Sequence, residues 1–89
     1  MFLVLSYDGD NEFDIMYIKD NERQTLVDAI ETIGNRHQRD LYLSKDNEVY
    51  DLSEIDEDDI DNENFDEYET IGSIDIYDST VLSIEGEVI

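Results

Sequence analysis

Cysteine, proline and tryptophan are absent from this chain, and basic residues nearly so. Without cysteine there is no disulfide, no thiolate metal site and no cysteine nucleophile, which fits a reducing cytoplasm. Without proline there is no polyproline ligand. Lysine and arginine number five, Lys19, Arg23, Arg36, Arg39 and Lys45, and none follows Lys45. The one histidine, His37, has no cysteine and no serine in an elbow context to activate, so its expected role is an exposed position just past a helix. A glycine-rich phosphate loop is missing, as are basic patches interleaved with aromatics, which argues against direct binding of nucleotides or nucleic acid. The apolar run at residues 1–5 has no basic flank and is too short for a signal peptide or a membrane span, so a cytoplasmic protein is expected.

What is present is acid. The 89 residues carry a formal charge of −21, of which the first 45 contribute −4 and the last 44 contribute −17. Charge of one sign at that density opposes a compact state by self-repulsion, yet its field attracts a basic partner and repels nucleic acid. At 39% hydrophobic residues and nine aromatics, the chain has more to bury than an acidic tail, and its length suits one domain with a small core.

Residues 2–7 are a continuous apolar run that reads as a strand buried on both faces, followed by a turn at residues 8–11. Residues 12–18 return as its hairpin partner, with Phe13, Ile15 and Tyr17 on one face and Asp14 and Met16 on the other. Asn21 and Gln24 have capping-box spacing, and Leu26, Ala29, Ile30 and Ile33 make one apolar helical stripe ending at Gly34 and Asn35. Residues 41–43 and 49–52 flank a second hairpin turn. Residues 73–77 and 80–84 alternate around a turn at Asp78 and Ser79, predicting a last hairpin. The expected fold is α+β: a small antiparallel sheet of hairpins with one amphipathic helix packed on it, in the order ββαββ, acidic segment, ββ. No internal repeat is present.

The acidic segment, residues 53–70, is expected to be a loop or to hold one or two helical turns, because its apolar residues Ile55, Ile60, Phe65 and Tyr68 fit neither a continuous helix nor a strand. Residues 53–69 hold ten carboxylates. Neighbours on one face lie ~6 Å apart in a helix and about 6.6 Å apart in a strand, while duplex DNA carries a charge every ~1.7 Å of axis, so such a row spans successive phosphate subsites. The expected partner-binding residues are Glu54, Asp56, Glu57, Asp58, Asp59, Asp61, Glu63, Asp66, Glu67 and Glu69, with Phe65 and Tyr68 as anchors within the charged set. The alternative is that Ile55, Ile60 and Phe65 staple the segment to its own core and the acids face water. No EF-hand loop is matched, since glycine does not occupy the sixth position, and no metal, cofactor or catalytic residue is expected.

In size, polyanionic surface, lack of cysteine and proline, and bias to Ile, Asn, Asp, Glu and Tyr, the chain resembles the acidic DNA-mimic inhibitors encoded by bacteriophages, namely anti-CRISPR, anti-restriction and uracil-DNA glycosylase inhibitor proteins. The resemblance lies in the charge pattern of residues 46–89 and the overall composition. It implies a protein of the bacterial host cytoplasm whose carboxylates fill the cationic groove of a CRISPR effector nuclease or a restriction-type enzyme. An immunity protein or antitoxin against a basic nuclease toxin, or a small acidic regulatory subunit, are the alternatives from other classes.

Overall fold

Where the local pattern is strongest the chain folds as its periodicity dictates, and the computed structural model describes residues 1–9 and 11–78 together with the paired segments 83–84 and 87–88. Strands β1 (Phe2–Tyr7) and β2 (Phe13–Tyr17) form the first hairpin, with Val4 opposite Ile15 and Leu5 opposite Asp14. Helix α1 (Arg23–Arg36) follows, then β3 (Leu41–Leu43) and β4 (Glu48–Asp51) as the second hairpin. The short helix α2 (Glu57–Asp61) falls within the acidic segment, as expected for it, and a 3-10 turn (Leu52–Glu54) leads in, taking Leu52 from the expected strand 49–52. Strand β5 (Gly72–Tyr77) closes the main sheet, and β6 (Ser83–Ile84) pairs with β7 (Glu87–Val88).

The strand order is β2-β1-β5-β4-β3, all neighbours antiparallel. The predicted last hairpin is therefore corrected: β5 pairs with β1 along its whole length and with β4 at Gly72 and Ser73, while β6 pairs with β7. Residues 79–82 of that expected hairpin lie outside the described residues. Alternation marks a strand but does not name its partner, and β5 has the one residue that the central place demands. A Cβ on Gly72 would lie 2.3 Å from the Ser6 carbonyl oxygen, so only glycine permits this approach of the backbones.

Helix α1 crosses from edge strand β2 to edge strand β3 and lays Leu26, Ala29, Ile30 and Ile33 on Leu3, Leu5, Leu41, Leu43, Val49 and Ile74. Its ends differ from expectation. The helix starts at Arg23 with Glu22 as N-cap, so Gln24 sits one place too early for a capping box; its Nε2 donates to Asp28 Oδ1 at 2.9 Å instead. Asp20 does the local work, its Oδ1 accepting from the Glu22 amide at 3.0 Å. At the other end the helix runs past Gly34 and Asn35 to Arg36, and Gln38, at φ 56°, takes the left-handed position. The Arg39 amide donates to the Gly34 carbonyl at 2.8 Å and the Gln38 amide to the Asn35 carbonyl at 3.3 Å, a Schellman closure. Gly34 serves packing: a Cβ there would lie 2.6 Å from the Arg39 carbonyl oxygen and 3.2 Å from Leu41 Cγ.

β1 is not buried on both faces as expected. Leu3 and Leu5 are fully enclosed beneath α1, whereas on the opposite face only Phe2, packed edge-on against Tyr17, is buried, with Val4 half-buried and Ser6 exposed. One helix covers one face of a sheet. The outer face is left to the acidic segment at one end and to exposed aromatics at the other.

Candidate docking surface

The acidic segment is held on the outer face of β3 and β4 by Phe65 and braced within itself by Tyr68. Phe65 stacks on buried Tyr50, ring centroids 4.8 Å apart at 22°, and packs against Tyr42 at 5.0 Å. Tyr68 donates from its hydroxyl to Asp59 Oδ2 at 2.5 Å and accepts from the Asp56 amide at 3.4 Å, tying the return of the segment to α2. That bond to a carboxylate holds the Tyr68 hydroxyl above the ordinary phenol pKa, and burial does the same for Tyr50. Ile55 is buried and Ile60 half-buried. Phe65 thus faces inward as a staple beside Ile55 and Ile60, as in the alternative reading of the sequence, and Tyr68, expected as an anchor for a partner, is also engaged within the chain.

Helix α2 is only five residues long, and its ends explain why it forms. Glu57, Asp58 and Asp59 occupy its first turn, where negative side chains favour the partial positive charge of the amides. Its C-terminus closes on Glu63 at φ 52°, with the Asn64 amide donating to the Asp59 carbonyl at 2.9 Å and Asn62 Nδ2 to the Asp58 carbonyl at 2.8 Å. Just before it, Asp51 is the N-cap of the 3-10 turn. Its Oδ1 accepts from the Ser53 hydroxyl at 2.7 Å and the Ser53 amide at 3.0 Å, and these bonds hold its carboxyl below the usual carboxylate range.

With the staples turned in, the acids turn out. Glu54, Asp56, Glu57, Asp58, Asp61, Glu63, Asp66, Glu67 and Glu69 are exposed, and Asp59 alone of the ten is partly covered. Among the described residues one cation meets this set in an ion pair, Lys45 Nζ with Glu63 Oε2 at 3.2 Å, and it is itself exposed. No group of three or more His, Asp and Glu side chains among the described residues is gathered to hold a metal ion.

A second cluster, absent from the sequence reading, sits at the opposite end of the sheet. Asp14 Oδ2 accepts from the Tyr7 hydroxyl and lies 3.0 Å from His37 Nε2, so His37, exposed just past the helix as expected, is also tied to β2 across 23 residues. Burial, then the bond to Asp14, pushes the Tyr7 hydroxyl pKa strongly upward. With Asn11, Glu12, Phe13 and Arg39 these groups line an open cavity of about 480 Å³. Asp14 falls on the apolar-alternating strand at a helix-facing position, which was the available signal. Its partners come from the neighbouring strand β1, which supplies Tyr7, and from the residue after α1, His37, which periodicity does not locate.

Comparison with protein-family models, curated proteins and solved structures finds no match to this chain. No helix among the described residues is long and apolar enough to cross a membrane.

So many carboxylates, with two lysine or arginine ion pairs to offset them among the described residues, make self-repulsion the expected limit on stability. The melting temperature should rise as NaCl increases, because the screening length falls from ~8 Å at physiological ionic strength to ~3 Å at 1 M. A melting temperature that stays flat or falls across that range removes repulsion as the limit.

Proposed function

We propose that this chain is a DNA-mimic inhibitor, a protein that occupies the cationic nucleic-acid groove of a DNA-binding enzyme, with CRISPR effector nucleases and restriction-type enzymes as the target class. The observation that carries this reading is the outward acidic set of residues 54–69, held on a folded sheet by Phe65, braced internally by Tyr68 and met by a single cation among the described residues. A solvating tail has no use for such staples. A ligand for a groove does, because carboxylates fixed before binding lose less conformational freedom when they dock than those of a loose polyanion. The charge also selects the partner, drawing in arginine-rich surfaces and excluding nucleic acid from the same site. Because the aromatic rings are spent on the chain's own fold, the interface relies on charge and shape, and it should be sensitive to salt.

The test is inhibition of DNA cleavage across a panel of CRISPR effectors and restriction enzymes, with DNA as competitor. A variant carrying Asp56→Asn, Glu57→Gln, Asp58→Asn and Asp61→Asn leaves Asp59, the partner of Tyr68, untouched. It should fold, by circular dichroism, and inhibit at least about tenfold more weakly, chiefly through slower association. Phe65→Ala should also weaken inhibition, by loosening the segment. Undiminished inhibition by the folded neutral variant, or no inhibition anywhere in the panel, overturns the proposal.

A further inference from the structure

The outer edge of β2 is unpaired among the described residues, and of the devices that keep such edges apart it carries only its short length and the inward-facing Asp14, whose carboxylate is engaged by Tyr7 and His37. β2 is the first strand of the order β2-β1-β5-β4-β3, and its sequence, Phe13-Asp14-Ile15-Met16-Tyr17, has no lysine and no proline. An open groove of about 430 Å³ runs between it and α1, lined by Met16, Ile18, Thr25 and Ala29, so the helix does not cover the edge. Phe13 is 60% exposed and Tyr17 70%, on the face of the sheet away from α1.

The hydrogen bonds say which groups are free. The Tyr7 amide donates to the Glu12 carbonyl at 3.2 Å and the Ile18 amide to the Met1 carbonyl at 2.9 Å, and the register pairs Leu5 with Asp14 and Leu3 with Met16. Alternation in an antiparallel ladder then turns the backbone groups of Phe13, Ile15 and Tyr17 outward, away from β1. Those three residues are centred on Ile15.

We propose that two copies of this chain pair through β2, antiparallel about a two-fold axis at Ile15, into one continuous ten-stranded sheet. In this register Ile15 faces Ile15 of the second copy, and Phe13 faces Tyr17 at both ends. Every outward amide and carbonyl of the strand finds a partner, and aromatic cross-strand pairs add to them. Asp14 faces Met16, so no carboxylate of β2 opposes another. A foreign strand has no such built-in match; the self-complementarity selects the second copy as occupant.

Net charge opposes any dimer of this chain, and the topology limits that cost. The acidic segment packs on β3 and β4, at the far side of the sheet from β2. Four strand spacings put it ~19 Å from the junction, more than two screening lengths at physiological salt, and nine spacings separate the two outer β3 strands by ~43 Å. A five-residue edge is a small interface, so the dimer belongs to the weak class, with a dissociation constant of roughly 10–100 µM that tightens with salt.

The chain has no native cysteine, which makes the test clean. Residues opposite each other in a hydrogen-bonded antiparallel pair have Cα atoms ~5.5 Å apart, within the ~4.4–6.8 Å span of a disulfide. Ile15→Cys should cross-link into a dimer in oxidised glutathione at least about tenfold faster than Glu31→Cys, an exposed position on α1. Sedimentation equilibrium of the unmodified chain should give a monomer–dimer equilibrium that shifts toward dimer as salt rises. Ile15→Lys and Ile15→Glu should each be monomeric and dimerise when mixed, because opposite charges then face each other on the axis. A monomer at every salt and concentration, or equal cross-linking of the two cysteine variants, overturns the proposal and leaves the edge to another strand.

Discussion

Replacement of Ile30 by alanine should remove about 2–5 kcal/mol of stability, a large share of the ~5–15 kcal/mol typical of a small domain. Ile30 is 1% exposed at the centre of the helical stripe, among Leu3, Leu5, Ile33 and Val49, where strands from both hairpins and β5 meet the helix. The loss has two parts, the transfer free energy of the missing methyl groups and the cavity that the two rigid layers cannot close. Asp28→Ala, two residues away on the exposed side, removes only a hydrogen bond from Gln24 and should change stability by less than ~0.5 kcal/mol. Urea unfolding separates them: the midpoint should fall sharply for Ile30→Ala at an unchanged slope and stay put for Asp28→Ala. Equal midpoints would place the core on a different helix face.

Gly72→Ala is the second large effect, and it arises from excess rather than loss. The added methyl would lie 2.3 Å from the Ser6 carbonyl oxygen and 3.2 Å from Leu5 Cδ1. The close neighbour is backbone, so relief needs a shift of β1 against β5 at the point where β5 also pairs with β4 through Val49. Overpacking of this kind costs ~1–3 kcal/mol, and each kcal/mol lowers the melting temperature of a domain of this size by about 4–8 °C. Ser73→Ala, the exposed neighbour, is the control and should melt with the parent. If Gly72→Ala melts with it, the three strands do not meet as closely as the backbone geometry requires.

Both substitutions probe contacts of different origin in the chain. The stripe Leu26, Ala29, Ile30 and Ile33 is legible because helix periodicity is a local property: residues three and four apart share a face whatever they pack against. The central role of Gly72 is not legible, because it depends on which distant strand lies alongside. Gly34 makes the same point. Its type suggested a helix stop, yet the chain uses its missing side chain for contact with Leu41 and stops on Gln38.

The candidate surface divides along the same line. That residues 54–69 would be an acidic set with a few apolar members is a matter of composition. Whether Phe65 points at a partner or at the chain's own sheet is a matter of what lies within reach, and Tyr42 and Tyr50 come within reach only once the second hairpin has formed. Polar contacts follow suit: Asp14 and His37 are 23 residues apart in sequence and meet because β2 and the end of α1 lie at the same corner of the fold.

By itself, then, the amino-acid sequence determined the hairpins β1–β2 and β3–β4, the buried face of α1, the α+β class and the acid-rich second half, all of which follow from spacings of two to four residues or from composition. The tertiary structure alone decided that β5 lies between β1 and β4, that β2 is left as an open edge, that Phe65 and Tyr68 turn inward and that the carboxylates around them turn out. Pairing across dozens of residues depends on the fit of whole surfaces, and the fit exists only after the local elements have formed.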